Sequence, residues 1–343
     1  MIMANLFSAS NQSAPLEVNH ECEYFPNGLE SVRLESGDRW KQCKKYDDHD
    51  KHYFPANDII DRSSSLNEDQ RRLLREFSNR VVGILVEWTS ELRPSDYPWA
   101  DKRGTRELRF GTGFVYYVSK RKEGQPCPCE DCRGKVTTHW TFFVRTAFHV
   151  VFNSDEAKET RIDLFYDEKG FGDDSRTVWA VSMEESESSK DTDQSILLCV
   201  THEEQVAQKL TSSGSFWPTL VDRSLIYYPE NRGLVHALGL EDAIKGFDHA
   251  VIFSHPHGEP KKISVGRLVE HNDHSTFNLP PGIKYRTPTC PGCSGAPVIL
   301  IKAQSDFLDP KRFPWNGPVH RASRGSTSPI NYSQSGSYQY PAV

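Results

Sequence analysis

From residue 81 onward the chain is a succession of short apolar runs separated by polar and turn residues. VVGILVEW (81–88), FGTGFVYYV (110–118), HWTFFVRTAFHVVF (139–152), RIDLFY (161–166), TVWAVSM (177–183) and SILLCV (195–200) are rich in β-branched and aromatic residues. Each is too short for a buried helix and reads as a strand. HAVIFSH (249–255), ISVGRLVE (263–270) and PVILI (297–301) continue the series. Helical spacing is sparse. Ser65-x-x-Glu68 has the spacing of a capping box, and Leu66, Leu73, Leu74 and Phe77 follow it, which predicts a helix over about 66–78. EEQVAQKL (203–210) is the second helical candidate. Many short strands without alternating helices predict an all-β barrel or sandwich.

Residues 1–64 show neither period. They hold 7 Lys/Arg against 11 Asp/Glu, so much of the chain's net charge of −6 lies there. The expectation is a partly ordered acidic extension, docking through Trp40, Phe54, Ile59 and Ile60, ahead of a main domain over 65–335 and a tail over 336–343. The net negative charge argues against a nucleic-acid-binding protein, whose phosphate contacts need a basic footprint. No run approaches the ~18 apolar residues of a membrane span, and the start lacks the basic and apolar regions of a signal peptide. A cytoplasmic protein without membrane contact is expected, with its eight cysteines reduced.

Three segments carry candidate chemistry. Thr146-Ala147-Phe148-His149 delivers a histidine from the end of an apolar strand, a suitable place for a general base. Asp193 heads the strand SILLCV, where a buried carboxylate can fix the tautomer of that histidine. Asp191 competes, but it is followed by Thr, Asp and Gln rather than by apolar residues. Thr287-Pro-Thr-Cys-Pro-Gly-Cys-Ser294-Gly-Ala-Pro-Val then presents a serine among small residues at the entry to a strand. Gly292 and Gly295 permit a tight turn, from which the amides of Gly292 and Ser294 can converge on a developing oxyanion.

Gly292-Cys-Ser-Gly-Ala-Pro-Val resembles the nucleophile turn of trypsin-like serine proteases, and Thr-Ala-Phe-His149 resembles their histidine motif. The order His149, Asp193, Ser294 is that family's order, with separations similar to its usual ones. Phe110-Gly-Thr-Gly-Phe-Val resembles the strand that opens many such domains. Ser254-His-Pro-His-Gly with Ile263-Ser-Val-Gly-Arg resembles the hairpin ahead of the nucleophile. The resemblance covers roughly residues 80–335. It implies two six-stranded antiparallel β-barrels of the chymotrypsin type, over about 80–200 and 215–335, with a Ser-His-Asp triad in the cleft between them. The implied activity is serine endopeptidase on polypeptide substrates, without a catalytic cofactor. A catalytically silent, protease-like binding domain is the alternative.

Departures from the family pattern refine this. Cys293 replaces the aspartate that receives a newly cut N-terminus in secreted digestive members, so the chain resembles the non-zymogen branch of glutamyl endopeptidases and high-temperature-requirement proteases. No activating cleavage is then expected. Pro288 stands where an acidic specificity residue would favour Lys or Arg. Thr289 and His320 match positions that bind an acidic or amide side chain in the glutamyl endopeptidase and picornain-like groups. Finally, Cys127, Cys129 and Cys132 are close enough to share a structural zinc, with His139, Cys22 or Cys43 as fourth ligand.

Overall fold

The computed structural model describes residues 18–45, 49–169, 176–211, 249–271, 282–301, 319–324 and 331–334. The strands, in chain order, are β1 (Val18–His20), β2 (Glu23–Phe25), β3 (Tyr53–Pro55), β4 (Val81–Val86), β5 (Leu108–Val118), β6 (Trp140–Thr146), β7 (Thr160–Leu164), β8 (Arg176–Met183), β9 (Ser195–Thr201), β10 (His249–Ser254), β11 (Lys262–His271), β12 (Gly282–Tyr285), β13 (Val298–Ile301), β14 (Val319–Arg324) and β15 (Asn331–Gln334). Four α-helices accompany them among the described residues: α1 (Leu29–Gln42), α2 (Glu68–Arg80), α3 (Ser154–Lys158) and α4 (Glu204–Leu210). None is long and apolar enough to cross a membrane.

The apolar runs between 81 and 201 pair in the order β5-β4-β7-β8-β9-β6, and β6 returns to β5. This closes a six-stranded antiparallel barrel, which leaves no free edge among those strands. Val82, Ile84, Val144, Ile162, Leu164 and Leu197 fill its interior, all fully buried. A second sheet runs β1-β14-β15-β12-β11-β10-β13, with β3 on β11. Among the described residues, the bridge from Pro297 to Val319 links the start of β13 to β14. The part of the expected second barrel over about 215–248 lies outside the described residues, as does the tail over 336–343.

The helix expected over 66–78 runs from Glu68 to Arg80, and its cap is Asn67 with Gln70 rather than Ser65 with Glu68. Asn67 Oδ1 accepts from the Gln70 amide at 2.9 Å, and Gln70 Oε1 accepts from the Asn67 amide at 3.1 Å. Leu74 and Phe77 of α2 are buried against Phe114 of β5 and Phe253 of β10, so the helix seals the junction of the two sheets.

Residues 18–45 and 49–64, expected as a partly ordered extension docked on the main domain, supply three strands and α1. β1 pairs with β14, β2 with β5 and β3 with β11, all antiparallel. Phe25, Tyr53 and Ile60 are buried, whereas Trp40, Phe54 and Ile59 are only partly covered. These strands take their hydrogen bonds from existing sheet edges and need few apolar residues of their own, so composition alone does not mark them.

Candidate active site

Ser294, His149 and Asp193 meet where the two sheets face each other. β6 ends at Thr146, and the following turn seats His149, with no exposed surface. Asp193 stands two residues before β9, the neighbour of β6, so the barrel itself brings carboxylate and imidazole together. Asp193 Oδ2 lies 2.8 Å from His149 Nδ1, and Oδ1 accepts from the His149 amide at 2.9 Å. On the other side of the ring, Nε2 lies 2.8 Å from Ser294 Oγ. Burial works against the Asp193 anion, but His149 and Arg321 outweigh it and hold the carboxyl below its ordinary range. Asp191 is exposed.

A buried ion cluster fixes the histidine turn from behind. Glu156 is paired with Arg93 and Arg109, all three without appreciable exposure. Arg93 also donates to the His149 carbonyl at 3.1 Å. No local signal in the sequence singled out these three residues.

The turn that carries Ser294 depends on two glycines. Gly292 has φ +96°, and a Cβ there would lie 2.4 Å from the His255 carbonyl oxygen. Gly295 has φ +87°, and its Cβ would lie 2.2 Å from the Thr112 carbonyl. Both space and conformation therefore demand glycine. Thr112, in the FGTG segment of β5, ties the turn to the barrel: its hydroxyl donates to Gly292 O at 2.7 Å, and its amide donates to Ser294 O at 2.8 Å.

The amides of Gly292 and Ser294 converge on one oxygen, the backbone carbonyl of Glu21, at 2.7 and 3.1 Å. The Glu21 side chain enters a buried pocket in which His320 Nε2 lies 2.6 Å from Oε2 and Lys45 pairs with Oε1. The Tyr285 hydroxyl, 2.6 Å from His320 Nδ1, completes the line. With Tyr285 donating to Nδ1, a neutral His320 carries its proton on Nε2 and donates to Glu21. Burial raises the cost of ionising Glu21, yet Lys45 and His320 prevail and hold its pKa at about 2. Thr289 is also fully buried, in the loop leading to the turn. Sequence reasoning named Thr289 and His320 but missed Tyr285, Lys45 and Glu21.

Among the described residues, two cysteine–histidine clusters are also present, one on the loop between β5 and β6 and one beside the turn that carries Ser294. Cys127, Cys129 and Cys132 surround His202 Nε2 at 3.6, 3.5 and 3.4 Å. The fourth partner is thus His202, not His139, Cys22 or Cys43. His139 turns its Nδ1 to Thr137 O at 3.0 Å, Cys22 donates to Phe110 O, and Cys43 belongs to the other cluster. His202 follows β9, and the pairing of Thr201 with Trp140 sets it over the cysteine loop between β5 and β6. That second cluster comprises Cys43, His49, His257 and Cys290.

No family model matches the sequence, and no curated protein matches it. Among solved structures, the HtrA-type protease AlgW with a decapeptide is 11% identical over 77% of this chain and 63% of its own, with a TM-score of 0.38. The chain thus spans under two thirds of AlgW. The active form of the Rv3671c protease from M. tuberculosis is 15% identical over 77% of this chain and 78% of its own, with a TM-score of 0.35. Its inactive form is 16% identical over 77% and 86%, at 0.34. The functional reading therefore rests on the cleft itself.

Proposed function

We propose that the protein is a serine endopeptidase of the chymotrypsin type, with the second sheet as its second barrel. One observation carries this reading: a hydrogen-bonded line Asp193–His149–Ser294 stands beside two amides that already converge on a peptide carbonyl. Ser294 Oγ attacks the carbonyl carbon while His149 Nε2 accepts its proton. Asp193 holds the imidazole with Nδ1 protonated and stabilises the imidazolium. The Gly292 and Ser294 amides bind the oxyanion, and His149 returns its proton to the departing amine. Water then releases the acyl group by the same route.

For specificity, His320 donates into a dry pocket and suits a carboxylate or carboxamide on the acyl side of the cut. An apolar side chain there would leave the donors unpaired. A polypeptide is accordingly the partner we assign. Hydrolysis of a peptide library by the wild-type chain, concentrated after Glu or Gln and absent in Ser294→Ala, tests the proposal. Cleavage mainly after Lys, Arg or large apolar residues would reject the specificity. A silent binding domain is favoured by one observation, the occupation of the cleft by Glu21, and predicts no turnover even when that segment is displaced.

We assign the Cys127–Cys129–Cys132–His202 cluster to a structural zinc. Zn–S of about 2.3 Å and Zn–N of about 2.0–2.1 Å at tetrahedral angles put sulfur and nitrogen about 3.5 Å apart, close to the spacings quoted above. His202 Nδ1 is engaged by Thr138 O at 3.1 Å, which leaves the Nε2 lone pair for a metal. Zinc here would brace a loop far from the triad and supply no chemistry to the reaction.

A further inference from the structure

The path of residues 18–25 through the cleft is that of a substrate. β1 pairs antiparallel with β14, Val18 opposite Arg324, Asn19 opposite Ser323 and His20 opposite Ala322. The His20 ring packs on the His149 ring, with centroids 4.3 Å apart. Glu21 fills the acidic-side-chain pocket and sets its carbonyl oxygen between the two oxyanion amides. The chain then crosses to the barrel: Cys22 Sγ donates to Phe110 O at 3.3 Å, and Glu23 pairs opposite Phe110 as β2 begins. One side of the bond is held by the second sheet and the other by the barrel, with the bond itself beside Ser294.

We infer that the protein cuts its own chain between Glu21 and Cys22, an inference that rests on the protease reading above. Ser294 Oγ bonds to the Glu21 carbonyl carbon and passes its proton to His149. The Glu21–Cys22 C–N bond breaks as that proton moves to the Cys22 nitrogen. Water then hydrolyses the ester, leaving a Glu21 carboxylate, a free Ser294 hydroxyl and a new amino terminus at Cys22. The fragment 1–21 is released, its residues 18–21 leaving the cleft, while β2 remains paired with β5. On this inference no buried ammonium is needed, in keeping with Cys293, but the cleft must be vacated.

Intact mass and amino-terminal sequencing of full chains test this. The wild type should lose residues 1–21 and begin at Cys22, at a rate independent of protein concentration. Ser294→Ala should stay whole, and Glu21→Ala should slow the cut at least 100-fold. Glu21→Arg, which sets a cation against Lys45, should stay whole with an open cleft and label with a fluorophosphonate. An uncut wild type beside a labelled Glu21→Arg would overturn self-cleavage and leave the protease reading standing. No labelling of Glu21→Arg and no peptide hydrolysis by any form would reject both. A rate proportional to concentration would overturn the intramolecular step.

A different observation carries a second proposal. The structure also assigns a second zinc site to Cys43, His49, His257 and Cys290, whose ligand atoms lie within 4.8 Å of one another. Tetrahedral zinc requires sulfurs about 3.8 Å apart and sulfur–nitrogen separations of about 3.5 Å. Cys43 and Cys290 stand 3.9 Å apart, and Cys290 Sγ is 3.4 Å from His49 Nε2. His257 is engaged at Nδ1 by Glu23 Oε2 at 2.7 Å, which leaves the lone pair of its buried Nε2 for the cluster. Such a carboxylate behind a ligating imidazole orients it toward a metal. Two ligands come from the segment before α2, and two flank the nucleophile turn. The metal would therefore clamp Cys43 and His49 against that turn after cleavage at Glu21.

Protein purified under reducing conditions without chelator should contain two zinc ions per chain by elemental analysis. Cys43→Ser and Cys127→Ser should each reduce this to one, and the double variant to none. Cobalt loading of Cys127→Ser should give sulfur-to-cobalt charge-transfer absorption that Cys43→Ser removes. Zinc lost with Cys127→Ser but untouched by Cys43→Ser would overturn the second site, as would a Cys43–Cys290 disulfide in the purified chain.

Discussion

Glu21 and His320 meet through a 2.6 Å hydrogen bond in a pocket that excludes solvent from both side chains. Because Lys45 shares the carboxylate, Glu21 is held ionised to about pH 2, against an ordinary value of 4.5. A depressed carboxylate pKa contributes stability that is complete above pH 4.5 and is lost as pH falls toward 2. The contribution is on the order of 3 kcal/mol. In full-length Ser294→Ala, hydrogen exchange of residues 18–25 should therefore be slow at pH 5–7 and accelerate progressively below pH 4.5. Protection unchanged down to pH 2.5 would contradict this origin of the docking.

Substitutions in the triad should divide sharply. Ser294→Ala and His149→Ala should abolish peptide hydrolysis while circular dichroism and melting stay native. Asp193→Asn should cost about 10⁴ in kcat, because the imidazole then adopts the wrong tautomer. Asp191→Asn should change kcat less than twofold. A damaging Asp191→Asn beside a harmless Asp193→Asn would reverse the assignment.

On the proposed reading, Tyr285 acts on specificity through His320. Tyr285→Phe removes the donor that keeps the His320 proton on Nε2, 2.6 Å from the ring nitrogen it serves. KM for a Glu-containing peptide should rise about tenfold with kcat nearly unchanged, the scale of one hydrogen bond to a charged group. An equal fall in kcat would mean that Tyr285 supports the chemistry rather than the pocket.

Glu156→Gln should leave the Arg93 and Arg109 guanidinium groups buried without their counter-charge. Urea unfolding should show a loss of about 3–5 kcal/mol. A loss below about 1 kcal/mol would mean that water or other acceptors replace the carboxylate.

Much of the barrel could be read from the sequence, because strands that bury one face must repeat apolar residues locally. The runs at 81–88, 110–118, 161–166, 177–183 and 195–200 became β4, β5, β7, β8 and β9 within a few residues. His149, Asp193 and Ser294 were nameable for a related reason: each sits where a strand begins or ends, and turns at such places need recognisable small or polar residues. Of the run at 139–152 only Trp140–Thr146 is strand, since β6 stops there to let the chain turn at His149.

Only the tertiary structure decided which distant groups meet. VNH, EYF and YFP carry no strand pattern, because β1, β2 and β3 borrow backbone partners from β14, β5 and β11. His202 joins cysteines some seventy residues earlier through the register of β9 on β6, and Cys43 reaches Cys290 across 247 positions. Glu21 reaches His320 across 299. A local pattern records what each segment must bury. Which carboxylate enters which pocket depends on the path of the whole chain, and no period along the sequence encodes that path.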